Sequence, residues 1–155
     1  MGAIDLLSQQ HREVEQLLEK VKSSDGAEKI AVLGKIAEAV TMHARLEEQH
    51  FYPLLQQNGM HEQVEHSLEE HAEARRLVSQ ILELKRSDPR LDQTIARLES
   101  AVLHHVEEEE EQIFPEARER VGPEQLERAG EEMTRAMGSL ENEELIAQAA
   151  QAPAP

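Results

Sequence analysis

One pattern, written twice, limits what this chain can fold into. His43-Ala44-Arg45-Leu46-Glu47-Glu48 runs on to Tyr52-Pro53, and His105-Val106-Glu107-Glu108-Glu109-Glu110 runs on to Phe114-Pro115. In both copies His to Glu is four residues and His to Pro is ten. A lone histidine precedes each copy: His11 lies 32 residues before His43, and His71 lies 34 before His105. Four histidines and two glutamates therefore recur with a shift of 60 to 62 residues. A duplicated helical hairpin carrying half of a metal site in each copy produces this arrangement.

The apolar period is helical throughout. A first helix is expected from about residue 3 to 22, with Ile4, Leu7, His11, Val14, Leu18 and Val21 on one stripe. A second is expected from about 27 to 57, ending at Asn58-Gly59. A third spans about 61 to 87, with Val64, Leu68, His71, Val78 and Leu82 inward, and Asp88-Pro89 breaks it. A fourth spans about 90 to 120, with Leu91, Ile95, Leu98, Val102, His105, Glu109 and Gln112 inward. Pro53 and Pro115 fall inside helices and are expected to kink or end them. The fold class is thus all-α: an antiparallel up-down-up-down four-helix bundle with an additional C-terminal helix. The bundle is placed at residues 1–122, a helical extension at 123–148 and a disordered tail at 149–155. Gly138-Ser139 is expected to interrupt the extension. Leu126, Met133, Met137 and Leu140 could lay it on the bundle or support weak self-association.

The inward stripes contain groups foreign to an apolar core. Residues four apart on a helix stand one turn apart on one face, so Glu47 sits over His43 and Glu109 over His105. A buried, uncompensated carboxylate costs several kcal/mol or more. Basic side chains cannot offset two of them, since Arg75 is the one candidate near an inner face. Metal cations fit better, and six ligands from four helices suit two six-coordinate ions. A lone histidine on such a stripe is more often a satisfied core residue than a ligand, but the matched register of two copies reverses that weighting. Glu109 is chosen within the Glu107–Glu111 run because it aligns with Glu47, and His105 is preferred to His104 for the same reason. His50, seven residues past His43, is expected to face inward, as a pocket-rim residue or an additional ligand. Tyr52 is expected as a pocket wall or a phenolate ligand.

These residues resemble the hemerythrin-like, or HHE cation-binding, family over about residues 4 to 120. The resemblance implies a left-handed bundle around a non-haem di-iron centre. It implies that His11 and His43 serve one iron, that His71 and His105 serve the other, and that Glu47 and Glu109 bridge them beside an oxo or hydroxo group. Oxygen-carrying members have a second histidine one turn before the third-helix ligand, where this chain has Ser67. That difference implies more open coordination, favouring reaction with peroxide, nitric oxide or dioxygen over reversible carriage.

The expected function is binding of, or reaction with, such a small oxidant or diatomic ligand. The alternative is a non-catalytic iron or oxygen sensor or an iron store. A ferritin-like site needs Glu-x-x-His on two helices. Glu47 to His50 supplies one copy, but Glu109 to Gln112 lacks the histidine. A net charge of -16 argues against nucleic acid and anionic lipid as partners. The absence of cysteine excludes disulfides and thiolate ligands. No membrane span or secretory signal is visible, so a cytoplasmic location is expected. The three aromatics, Phe51, Tyr52 and Phe114, all sit at the end of the repeated motif. That end is expected to enclose something small and apolar.

Overall fold

The computed structural model describes residues 1–151, with side chains described through residue 141. Every regular element among them is helical. The first rod is α1 (Ala3–Lys22). The second consists of α2 (Gly26–Leu46), a π-helical turn (Glu47–Phe51) and α3 (Tyr52–Gln57). The third is α4 (His61–Glu83). The fourth joins α5 (Arg90–Glu108), a second π-helical turn (Glu109–Ile113) and α6 (Phe114–Arg120). A fifth rod, α7 (Pro123–Gln151), follows.

Turn chemistry sets the hairpins. Gly26 has φ 56° and Gly59 has φ 83°, left-handed conformations that a side chain would strain. Ser24 Oγ donates to Lys20 O at 2.7 Å, closing the end of α1. With such short links, α1 packs on α2 and α5, and α4 packs on the same two, which closes an up-down-up-down bundle.

Two apolar layers flank the level of the repeated motif. One contains Val14, Leu18, Ile36, Leu77, Ile95 and Leu98. The other contains Leu7, Leu46, Leu55, Ile113 and the three aromatics, all buried. Phe51 meets Phe114 edge-on, with centroids 5.7 Å apart. The aromatic end is therefore filled by its own side chains, which corrects the expectation of an enclosed space there.

Several expected boundaries and faces move. α4 stops at Glu83, because Leu84 turns extended and packs on the core. Its stripe runs through Val64, Ser67, His71, Val78 and Ile81, so Leu68 and Leu82, expected inward, are exposed. The proline kinks take the form of π turns. Tyr52 N–H reaches Glu47 O, and Phe114 N–H reaches Glu109 O. Pro53 and Pro115 then fall in the first turn of α3 and α6, where the absent N–H is least missed. The wider turn brings the fourth residue beyond each glutamate back into line with it. Phe51 and Ile113 are consequently buried, whereas Gln112, expected inward, is exposed.

α7 packs on α1 and on the second rod. Met133 and Ala129 are buried against the aromatic layer, with Leu126 and Met137 beside them. Leu126, Met133 and Met137 of the expected stripe thus lie on the chain's own core. Gly130 admits the N-terminal backbone, since a Cβ there would lie 2.7 Å from Ala3 N. The helix passes through Gly138-Ser139 without a break and continues to Gln151, correcting the expected interruption and the tail at 149–151. Residues 152–155 of that expected tail lie outside the described residues. No helix among the described residues is long and apolar enough to cross a membrane.

Candidate metal centre

Six side chains from four rods meet between the two apolar layers. His11 comes from α1, His43 from α2, His71 from α4 and His105 from α5, and each π turn begins with its glutamate. Glu47 and Glu109 are fully buried, and the four imidazoles nearly so. The imidazoles form two pairs, His11 with His43 and His71 with His105, each with ring centroids 4.8 Å apart. Both glutamates reach both pairs. Glu47 Oε1 is 3.1 Å from His43 Nε2, 3.0 Å from His71 Nε2 and 3.5 Å from His105 Nε2. Glu109 Oε1 is 3.0 Å from His11 Nε2, 3.2 Å from His105 Nε2 and 3.6 Å from His43 Nε2.

Every inner nitrogen is Nε2, because every Nδ1 is held from outside. His11 Nδ1–H donates to Glu110 at 2.9 Å, His71 to Glu48 at 2.7 Å and His105 to Glu70 at 2.9 Å. His43 Nδ1–H donates to Gln10 Oε1 at 2.8 Å, while Gln10 Nε2 turns to Met137 Sδ. Anchoring Nδ1 fixes ring orientation and directs the other nitrogen at a cation. Arg75 lies in this outer layer, paired with Glu48 at 2.7 Å, and Arg12 pairs with Glu110. Neither arginine neutralises Glu47 or Glu109, so the sequence-stripe candidate Arg75 does not supply the inner positive charge.

These four outer acceptors were missed in the sequence although the repeat contains them. Glu48 and Glu110 each follow the motif glutamate, and Gln10 and Glu70 each precede the lone histidine.

The electrostatics demand positive charge at the centre. Burial lowers the His43 pKa, but the Glu47 charge, aided by Glu109, reverses this and brings it to about 9. Burial likewise lowers His105, and Glu109 drives it far above the usual imidazole range. Glu47 is raised by burial yet held well below the carboxylate range, chiefly by His43. A field that retains protons on buried imidazoles also attracts metal cations. The donor set fits metal ions on independent geometric grounds. His43 Nε2 and Glu47 Oε2 are buried without a hydrogen-bond partner, and His43, Glu47, His105 and Glu109 bring ligand atoms within 4.8 Å of one another.

Tyr52 and Phe114 occupy equivalent positions and stack on His71 and His11, at 5.4 and 5.7 Å. Only Tyr52 adds a hydroxyl, which donates to Glu109 Oε2 at 3.1 Å and lies 3.2 Å from His71 Nε2. Burial and the Glu47 and Glu109 charges push its pKa well above 10. Ser67 Oγ is buried beside it. His50 does not join the cluster: its Nδ1 is 3.8 Å from Glu132 on α7. The inward expectation for His50 assumed an unbroken α-helix, and the π turn rotates it away.

A cavity of about 40 Å³ adjoins the imidazoles. Its lining includes His11, His43, His71 and His105, the apolar Val14, Val40, Ala101 and Val102, and the charged Glu70 and Arg75.

Comparison with known proteins agrees with this geometry. The family model of the hemerythrin HHE cation binding domain matches residues 2–117. A crystal structure of a hemerythrin HHE cation binding domain-containing protein from Mycobacterium kansasii superposes with a TM-score of 0.85. It is 20% identical, and the match covers 99% of this chain and 95% of that one. A DNA nickase from Nostoc sp. is 28% identical over 119 residues, 76% of this chain but 34% of the relative. The chain thus spans about a third of that relative's length. A metal-binding bundle built from two copies of one His/Glu motif, and matched by the family model over most of its length, belongs to the hemerythrin HHE cation-binding domain family.

Proposed function

We propose that the protein holds two iron ions and reacts with a small oxidant or diatomic ligand: dioxygen, peroxide or nitric oxide. His11 and His43 would hold one ion, His71 and His105 the other, and Glu47 and Glu109 would span the two. Bound iron would supply electron transfer and an open position for the ligand. The protein's own part is to orient the imidazoles through Nδ1, to exclude bulk water with its apolar layers, and to present the Tyr52 hydroxyl beside His71 and Glu109.

The observation carrying this reading is the cavity. At about 40 Å³ it accommodates one or two water-sized molecules, and Val and Ala walls favour an uncharged visitor. That size leaves no room for an iron mineral, which disfavours storage. The charge of -16 opposes duplex phosphates, so we do not extend the nickase description to this chain. A cytoplasmic setting accords with a centre that needs reduced iron.

Filling the cavity tests the proposal. Ala101→Phe should keep the metal count and slow reaction with peroxide or nitric oxide by more than about tenfold, as expected when a reacting group loses its place. Unchanged kinetics with the metal retained would sink it.

A second reading, a sensor, has one observation in its favour. His50 shares the π turn with Glu47 and touches Glu132, so a change at the centre has a route to α7. Ligand-dependent hydrogen exchange along α7 is the measurement, and identical protection with and without ligand excludes it.

A further inference from the structure

Outside the buried centre, α4 and α5 present a second group of imidazoles and carboxylates. His66 and Glu70 stand one turn apart on α4, and His104 and Glu108 one turn apart on α5. His66 Nε2 lies 3.1 Å from Glu108 Oε2, and His104 Nε2 lies 2.9 Å from Glu108 Oε1. Both imidazoles are 3.7 Å from Glu70 Oε2. His66, Glu70 and Glu108 bring ligand atoms within 4.8 Å of one another, and His104 adjoins that group through Glu70 and Glu108. Bonds of about 2.1 Å to a tetrahedral ion place neighbouring ligand atoms about 3.4 Å apart. The imidazole-to-carboxylate spacings of 2.9 to 3.7 Å straddle that value, and His104 would close on the ion from the edge of the group.

The duplication shows that this face differs in kind from its counterpart. With the same shifts of 60 and 62 residues, His66, Glu70, His104 and Glu108 correspond to Leu6, Gln10, Met42 and Leu46. Leu6 and Leu46 are buried, Met42 packs on the core and Gln10 contacts Met137 of α7. One face of the duplicated bundle is therefore apolar and roofed by α7. On the other, the equivalent four positions are ligand-type residues, with His66 55% and His104 63% accessible.

Glu70 joins this group to the interior. Its Oε2 faces His66 and His104, while its Oε1 accepts the Nδ1–H of His105 at 2.9 Å. The corresponding outer carboxylates Glu48 and Glu110 are instead matched by Arg75 and Arg12. At Glu70, two imidazoles stand where Glu48 and Glu110 have guanidinium groups.

We propose that His66, Glu70, His104 and Glu108 form a second, exposed site for a divalent transition-metal ion, linked to the buried centre through the Glu70 carboxylate. Mixed imidazole and carboxylate donors suit Zn²⁺, Fe²⁺ or Co²⁺ rather than Mg²⁺ or Ca²⁺. An ion on Oε2 shares its carboxylate with His105, so its binding is felt at the inner ligand.

The test is a calorimetric Zn²⁺ titration of the purified protein with its buried metal in place. Ions per chain are counted by mass spectrometry before and after. The parent should take up one further Zn²⁺. His66→Ala/His104→Ala should weaken that step by more than about tenfold, leaving the buried metal count and helicity unchanged. His61→Ala, an exposed histidine on the same helix, should retain the step. No extra uptake by the parent, or equal uptake by parent and double variant, overturns the proposal. The difference between the two proteins decides it whatever metal the buried centre holds, so its failure and that of the di-iron reading remain distinguishable.

Discussion

Glu48 accepts the Nδ1–H of His71 at 2.7 Å, so one copy of the repeat orients the lone histidine of the other. Glu110 does the same for His11 at 2.9 Å. Glu48→Ala removes no inner ligand but frees the ring of His71. Metal affinity should fall by about 10–100-fold, measured by competition with a chelator. Glu107→Ala, on an exposed residue of the same acidic run, should leave affinity unchanged.

Glu47 and Glu109 each reach both imidazole pairs, so neither can be removed at the expense of one position only. Glu47→Ala and Glu109→Ala should each cut metal content per chain sharply, by mass spectrometry of the folded protein. Content equal to that of Glu107→Ala would remove both from the ligand set.

Metal-stripped protein should lose stability in alkali. His43 titrates near 6.5 when unfolded and about 9 when folded. Its contribution is therefore complete below about pH 6.5 and disappears as pH rises through 9, on the order of 3 kcal/mol. Glu47 acts oppositely: its contribution is complete above its ordinary value of 4.5 and is lost progressively as pH falls below that. Thermal unfolding of stripped protein should thus show greatest stability between about pH 4.5 and 6.5. Metal-loaded protein should instead shed its ions as pH falls, because protons compete for Nε2.

Tyr52→Phe makes the two halves alike at this position, opposite Phe114. It leaves Glu109 Oε2 without its hydroxyl donor, an acceptor buried at 0% exposure. Denaturant unfolding of stripped protein should report a loss of about 1–3 kcal/mol.

Two glycines of α7 should respond with opposite sign. Gly130→Ala forces a Cβ against the backbone of residues 1–3, which cannot yield as a side-chain tip can. A loss of about 1–3 kcal/mol is expected. Gly138→Ala meets nothing within 4 Å and lies mid-helix, so it should stabilise by about 0.5–1 kcal/mol.

The parts legible in the sequence are those with a local cause. The His-to-Glu spacing of four is one helical turn, and it survives because His43 and His105 lie in unbroken α-helix up to their glutamates. Beyond each glutamate the same arithmetic fails. His50 and Gln112 rotate outward together, since each π turn shifts the phase by part of a residue. Pro53 and Pro115 signalled a disturbance but not its form. Leu68 and Leu82 were misplaced because the α4 stripe runs through Ser67 and Ile81 instead, and a small polar residue does not advertise burial.

By itself the sequence determined the helical class, the internal duplication and which six His and Glu side chains face inward, because each follows from periodicity along one rod. Only the tertiary structure decided that Glu48 and Glu110 reach across to the opposite copy, that the aromatic end is filled and that the open space lies against Val and Ala. Those are relations between rods, set by packing and by the need to satisfy buried polar atoms, and no single helix encodes them.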